Sequence, residues 1–150
     1  MRLLCDHMLG TLAKWLRFMG YDTTYPGPLG DTELLALSAR EDRILLTRDK
    51  ELASRSSRAI RVRSDDLEAQ IREVASALEL KLVDPLSRCS LCNATLIPAR
   101  PEDVGDLVPE GVRARHDVFW QCPSCRKVYW QGSHWDKMVE RLNRLPVRSH

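Results

Sequence analysis

The chain has 150 residues, of which 43% are hydrophobic and 29% are charged, as expected for a soluble globular protein. The formal net charge of +2 is too small to indicate a nucleic-acid partner by itself. No apolar run reaches the length of a membrane span or of a signal peptide, which excludes these classes, so we expect a cytoplasmic protein with no membrane partner.

The first 84 residues alternate between predicted strands and predicted helices. In chain order the sequence predicts a strand over Arg2 to Cys5, a helix over Met8 to Met19, a strand over Tyr21 to Tyr25, a helix from Asp31, a strand over Ile44 to Thr47, a short helix over Lys50 to Arg55, a strand over Ala59 to Val62 and a helix over Ser64 to Leu80. This alternation predicts an α/β fold, a parallel sheet with helices on both faces.

Residues 85–150 form a second predicted unit. Its predicted elements are strands over Thr95 to Ala99, Val118 to Gln121 and Lys127 to Gln131, a turn at Pro109-Glu110-Gly111 and a final helix from Ser133. We expect two domains, 1–84 and 85–150. The second is too small to fold on a hydrophobic core alone, so it needs help such as a bound metal.

Four of the five cysteines form two CxxC pairs, Cys89/Cys92 and Cys122/Cys125. Two such turns complete a tetrahedral zinc site with sulfur ligands, and a reducing location favours zinc over disulfides. A redox dithiol pair or unpaired thiols are the alternatives. Because four protein ligands leave no open position, this zinc is structural, and any catalysis must reside in residues 1–84.

Three acidic residues occupy positions that a parallel sheet brings to one edge. Asp6 and Asp49 follow predicted strands, and Asp31 lies where a loop enters a helix. Clustered carboxylates repel one another unless a cation compensates them, and such oxygen ligands select Mg²⁺ or Mn²⁺. The alternatives are structural, since Asp31 also suits a helix cap and Asp6 a strand-end turn.

Three basic residues lie near these acids in sequence. Lys14 and Arg17 are on the first predicted helix, and Arg48 precedes Asp49. Each is a candidate contact for a substrate phosphate. The alternative for Lys14 and Arg17 is that they are solvated side chains on a helix surface.

In these features the chain resembles the Mut-seven C-terminal RNase family, a PIN-like nuclease domain followed by a zinc ribbon. The resemblance runs through Asp6, residues 12–17, Gly20-Tyr21-Asp22, Asp31-Thr32-Glu33, residues 44–49, both CxxC pairs and residues 129–135. It implies a Rossmann-like parallel sheet and a metal-dependent ribonuclease site. By this resemblance, Asp6, Asp31 and Asp49 are metal-binding carboxylates.

The leading hypothesis is therefore a ribonuclease that prefers single-stranded RNA and hydrolyses the phosphodiester with Mg²⁺ or Mn²⁺. In this hypothesis the ribbon presents RNA through Trp120, Trp130 and Arg126, or it docks a protein partner. The tryptophans alternatively belong to the ribbon core. A non-catalytic RNA- or protein-binding adaptor is the main alternative function. A phosphoacceptor domain is less suitable, because His7 stands where a second acid is expected.

Overall fold

Within residues 1–82, 84–145 and 148–149, which the computed structural model describes, four short parallel strands form a central sheet. They are β1 (Arg2–Cys5), β2 (Asp22–Thr24), β3 (Ile44–Thr47) and β4 (Ala59–Arg61). The strand order is β2-β1-β3-β4, and Leu4 of β1 pairs with Thr24 on one side and with Leu45 on the other. The predicted strands are confirmed, with β2 and β4 slightly shorter than expected.

Adjacent residues of a strand point to opposite sides of the sheet, so both faces carry apolar side chains. Helices cover both of these faces. Leu3 and Cys5 face the larger hydrophobic core, whereas Leu4 faces a smaller one. The helices of this part are α1 (Gly10–Phe18, after a 3₁₀ turn at His7–Leu9), α2 (Asp31–Glu41), α3 (Lys50–Ser54) and α4 (Leu67–Leu78). Helices α1 and α4 pack on the larger core, and α2 and α3 pack on the smaller one. The predicted α/β class is confirmed.

A small antiparallel sheet lies in the second part of the chain, and this part is called the ribbon below. Its strands, in the order β6-β7-β8, are β6 (Ile97–Ala99), β7 (Phe119–Gln121) and β8 (Val128–Tyr129). A separate short strand, β5 (Lys81–Leu82), pairs in parallel with β9 (Arg148–Ser149). Phe119 is fully buried in a cluster with Val104, Val108 and Val128. Trp120 and Trp130 are half-buried against ribbon clusters, as the structural alternative for these residues predicted.

The connection from β6 to β7 differs from the prediction. Strands and turns were expected there, but the segment contains two short helices, α5 (Pro101–Val104) and α6 (Glu110–Arg115). Pro109-Glu110-Gly111 was expected to form a turn, but Pro109 is the N-cap of α6. The fixed φ of proline and its missing N–H suit the start of a helix as well as a turn, so local sequence did not distinguish them.

The last helix, α7 (Ser133–Asn143), packs against the core of the first part of the chain. Leu142 and Leu145 are buried in that core. Arg141 donates from Nε to Glu68 Oε1 at 2.6 Å, and its guanidinium lies 5.2 Å from the centre of the Trp15 ring. Among the described residues, no helix is long and apolar enough to cross a membrane.

Candidate functional site

The carboxyl ends of β1 and β3 form the crevice in which open α/β sheets bind their ligands. These strands are neighbours, and the chain leaves β1 for a helix on one face and β3 for a helix on the other. Asp6 follows β1 directly, and Asp49 lies two residues beyond β3. The topology therefore brings these two acids to the same edge of the sheet.

Thr47, the last residue of β3, connects the two aspartates. The Thr47 hydroxyl donates to Asp6 Oδ2 at 2.5 Å. The hydroxyl oxygen of Thr47 also accepts the Asp49 backbone N–H at 3.0 Å. Thr47 is fully buried and Asp6 is 5% exposed. No role was assigned to Thr47 from the sequence. A threonine at the end of an apolar strand, two residues before an acid, was the available signal.

Each of the two aspartates also caps the turn or helix that follows it. Asp6 Oδ1 accepts the N–H of Met8 at 3.0 Å. Asp49 Oδ1 accepts the N–H groups of Glu51 and Leu52 at 2.9 and 3.1 Å. These bonds fix the orientation of both carboxylates. Asp49 is exposed, so its carboxylate is accessible from solvent.

Asp31 is the first residue of α2 and is exposed. The prediction that it caps this helix is wrong, because the N-cap is Gly30. Arg55 Nη1 lies 3.9 Å from Asp31 Oδ2, an exposed pair that contributes little stability. The compact group of possible metal ligands among the described residues consists of cysteines and includes none of Asp6, Asp31 and Asp49.

That compact group contains Cys89, Cys92, Cys122 and Cys125, whose sulfur atoms all lie within 4.8 Å of one another. The Cys89 and Cys125 sulfurs are 3.7 Å apart. With Zn–S bonds of about 2.3 Å, the edge of a regular tetrahedron is about 3.8 Å. The residues therefore fit a four-thiolate zinc site, whereas a disulfide needs sulfurs about 2 Å apart.

The two CxxC turns have the same backbone hydrogen bonds. The N–H of Asn93 donates to the Cys89 carbonyl at 2.8 Å, and the N–H of Arg126 donates to the Cys122 carbonyl at 2.9 Å. Asn93 and Arg126, each directly after the second cysteine of its pair, have φ values of 66° and 69°. This left-handed conformation closes each turn so that both of its sulfurs point to the same place.

Hydrogen bonds also affect the cysteine sulfurs, including the pKa of Cys122. Burial acts to raise the pKa of Cys122, but the N–H groups of Cys125 and Ser124 outweigh it and lower that pKa to about 7. Their N–H donors lie 3.3 and 3.4 Å from the Cys122 sulfur. The Tyr129 hydroxyl is 3.1 Å from the Cys89 sulfur. Such outer contacts orient metal ligands, and those at Cys122 favour the thiolate form, which is the form that binds zinc.

A comparison with protein families decides what this combination of sheet edge and thiolate group represents. Residues 1–142 match the Mut7-C RNAse domain. The chain belongs to the Mut7-C family. This membership supports a nuclease-like role, and it confirms the family predicted from the sequence. Searches of curated proteins and of solved structures found no match.

In this Mut7-C chain the three predicted basic residues lie in different environments. Lys14 is exposed on α1. Arg48 is half-buried, and its Nε is buried with no hydrogen-bond partner among the described residues. Arg17 is 6% exposed and donates to the carbonyl oxygens of Thr23 and Ser90 at 2.8 and 3.0 Å. These bonds direct Nε and Nη1 of Arg17 to main-chain carbonyls, and the contact of Arg17 with substrate stays a prediction.

Arg17 instead helps to attach the first CxxC turn to the edge strand β2. Asn93 makes the other contact, because its Oδ1 accepts the Thr23 N–H at 2.9 Å and its Nδ2 donates to Asp22 Oδ1 at 2.7 Å. Burial acts to raise the pKa of Asp22, but the hydrogen bonds from Arg43 and Asn93 outweigh it and hold that pKa below its usual value. The four-cysteine group of the Mut7-C chain is thus linked by hydrogen bonds to its parallel sheet.

Replacing Asn93 by glycine should lower the free energy of unfolding by about 1–3 kcal/mol more than the matched change Arg126→Gly. Both positions have positive φ, so glycine suits the backbone equally well at each. Only Asn93→Gly leaves the buried Thr23 N–H without its acceptor. Chemical denaturation of the two zinc-loaded variants measures the difference. Equal stabilities would show that the Asn93 contacts contribute nothing.

Proposed function

We propose that this protein is a metal-dependent ribonuclease that hydrolyses single-stranded RNA at the carboxyl edge of its parallel sheet. The main support is the Asp6–Thr47–Asp49 connection, which holds the Asp6 carboxylate and the Asp49 backbone together at the ligand-binding edge of a chain from an RNase family. The proposal includes a PIN-like fold, with residues 1–84 as the nuclease domain and residues 85–150 as the ribbon. It also includes a cytoplasmic location, because free thiolates persist in a reducing compartment.

The carboxylates at this edge fit a hard divalent cation by their donor chemistry. Asp6 and Asp49 are oriented by their hydrogen bonds, and Asp31 contributes a third carboxylate from the start of α2. When bound, Mg²⁺ or Mn²⁺ supplies a Lewis acid for the phosphoryl group and lowers the pKa of a coordinated water. Asp6 and Thr47 are buried, so they fix the position of the site, while the exposed Asp49 faces the substrate.

The loop after β4 carries a further acid to the same edge. Asp65 is exposed, and it follows Ser64, whose N–H and hydroxyl both donate to Glu73. Burial acts to raise the pKa of Glu73, but the hydrogen bonds from Arg63 and Ser64 outweigh it and hold that pKa below its usual value. The charged Glu73 therefore anchors the loop, and in our proposal Asp65 is the fourth acid of the site.

Lys14 and Arg48 contact the RNA backbone in this proposal. A guanidinium binds phosphate through two parallel hydrogen bonds, and Arg48 is half-buried beside Asp49, so part of its side chain is open to solvent. Lys14 lies on the helix that begins just after the Asp6 turn, and it adds a mobile positive charge. The contact of Arg17 with substrate stays a separate prediction, since Nε and Nη1 of Arg17 bind main-chain carbonyls.

Removal of Mg²⁺ and Mn²⁺ should abolish cleavage of single-stranded RNA, and returning either ion should restore it. The protein is dialysed into metal-depleted buffer, and elemental analysis confirms that the four-cysteine site still holds its zinc. Cleavage of a labelled oligonucleotide is then followed with and without added ion. Full activity in the depleted buffer, with zinc alone present, would contradict the proposed site.

A further inference from the structure

A groove of about 520 Å³ lies between α1, the ribbon and the start of α7. It is separate from the acidic edge, since none of the three aspartates lines it. Four aromatic residues form much of its wall: Trp15 from α1, Tyr129 and Trp130 from the ribbon, and Trp135 from α7. All four are half-buried, so each ring is held by packing on one side while part of its surface is open.

The charges of this groove have one sign. Lys14, Arg88, Lys127 and His134 line it, and no aspartate or glutamate is among its lining residues. Lys14, Lys127 and His134 are exposed, and the Lys127 ammonium lies 5.3 Å from the centre of the Tyr129 ring. Helix α7 begins in the groove at Ser133 with no side-chain cap, so the positive end of its dipole is also directed there.

Aromatic surfaces interleaved with cations match a ligand that has flat rings and a negative backbone. Single-stranded nucleic acid is such a ligand, because its bases stack on aromatic side chains while cations follow its phosphates. A duplex does not fit this surface, since its bases are already stacked on each other. An acidic peptide would use the cations but would leave the four aromatic rings without flat partners.

Helix α1 links the groove to the proposed catalytic edge, because it begins after the Asp6 turn and contributes Lys14 to the groove wall. Lys14 lies about 6 Å along the helix axis from the start of α1, which follows the Asp6 turn directly. We propose that this groove binds the single-stranded RNA substrate, with its bases on Trp135 and the neighbouring rings and its phosphates on Lys14 and Lys127. The choice of RNA rests on the proposed function, but binding itself does not require cleavage.

Binding is measured with the full-length, zinc-loaded Asp49→Asn protein and a fluorescent single-stranded RNA, by anisotropy at several salt concentrations. Lys14→Glu combined with Lys127→Glu should raise Kd at least about tenfold and reduce the slope of log K against log salt by about 1.4, the value for two lost phosphate contacts. Lys137→Glu is the matched control, because Lys137 is exposed on α7 but does not line the groove. It should change Kd less than about twofold.

Trp135→Leu tests base stacking, because leucine keeps an apolar side chain against the core and removes the ring. It should weaken binding about 5- to 150-fold, the range for one lost base stack, with zinc content and circular dichroism unchanged. If Trp135→Leu does not fold, the Lys14→Glu and Lys127→Glu double variant still tests the proposal, because both side chains are exposed and their replacement does not disturb the core. Equal Kd values for the lysine pair and for Lys137→Glu would overturn the proposal, and so would a duplex that binds as tightly as the single strand.

The two proposals fail separately. Loss of RNA binding in the groove variants, together with metal-independent cleavage, would support the groove and reject the acidic site. Metal-dependent cleavage with unchanged binding in every groove variant would support the acidic site and reject the groove as the RNA-binding surface.

Discussion

Replacing Asp49 by asparagine should reduce divalent-dependent RNA cleavage about a thousandfold or more while the protein stays folded. The amide has no charge and is a poor ligand for Mg²⁺ or Mn²⁺, and metal assistance is worth several kcal/mol of transition-state stabilisation. Asparagine caps helices as well as aspartate does, so the bonds to Glu51 and Leu52 persist. Initial rates on labelled single-stranded RNA measure the loss.

The matched control is Asp103→Asn, which makes the same chemical change on α5 of the ribbon. Asp103 is exposed and accepts the N–H of Arg100 at 3.1 Å, a bond that an asparagine oxygen also accepts. Both variants should unfold at the same denaturant concentration as the parent protein, while only Asp49→Asn loses activity. Cleavage that survives Asp49→Asn at the parental rate would identify a contaminating nuclease or a different site.

The elements that the sequence predicted well are those with a strong local cause. Residues 44–46 form an uninterrupted apolar run that ends at Thr47, which is typical of a strand buried on both faces. The two CxxC pairs carry their geometry in their spacing, since each closes one turn. Asp6 and Asp49 were expected at one edge because strand ends in a parallel sheet must meet there.

The parts that the sequence did not predict depend on contacts between distant segments. Arg17 has the spacing of a solvated helix residue, but the first CxxC turn covers it and accepts its hydrogen bond through Ser90. Thr47 acquires its role only when β1 lies beside β3. Helix α7 follows the ribbon in sequence yet packs on the first core, because its apolar stripe needs a larger surface than the ribbon provides. Because α7 packs across the predicted boundary, the division into two domains at residue 84 stays a prediction.

Replacing Cys92 by serine should remove the zinc, from about one ion per chain to none, and unfold the ribbon before the parallel sheet. Cys92 is exposed, so the change costs little packing, but it removes one of four thiolates. Zinc contributes about 10–16 kcal/mol to folding in small zinc domains, far more than the ribbon's few buried side chains can supply. Elemental analysis measures the metal, and limited proteolysis with mass spectrometry locates the unfolded segment.

Cys5→Ala is the control for this experiment, since Cys5 lies in the core of the sheet, where burial raises its pKa, and it is not a member of the thiolate group. It should retain one zinc per chain. In Cys92→Ser, we expect cleavage within residues 87–131, while α7 stays protected by Leu142 and Leu145 in the first core. Cleavage of the ribbon and the sheet together would instead show that the Arg17 and Asn93 contacts make them one cooperative unit. Unfolding of the first CxxC turn would then remove the contacts that support β2.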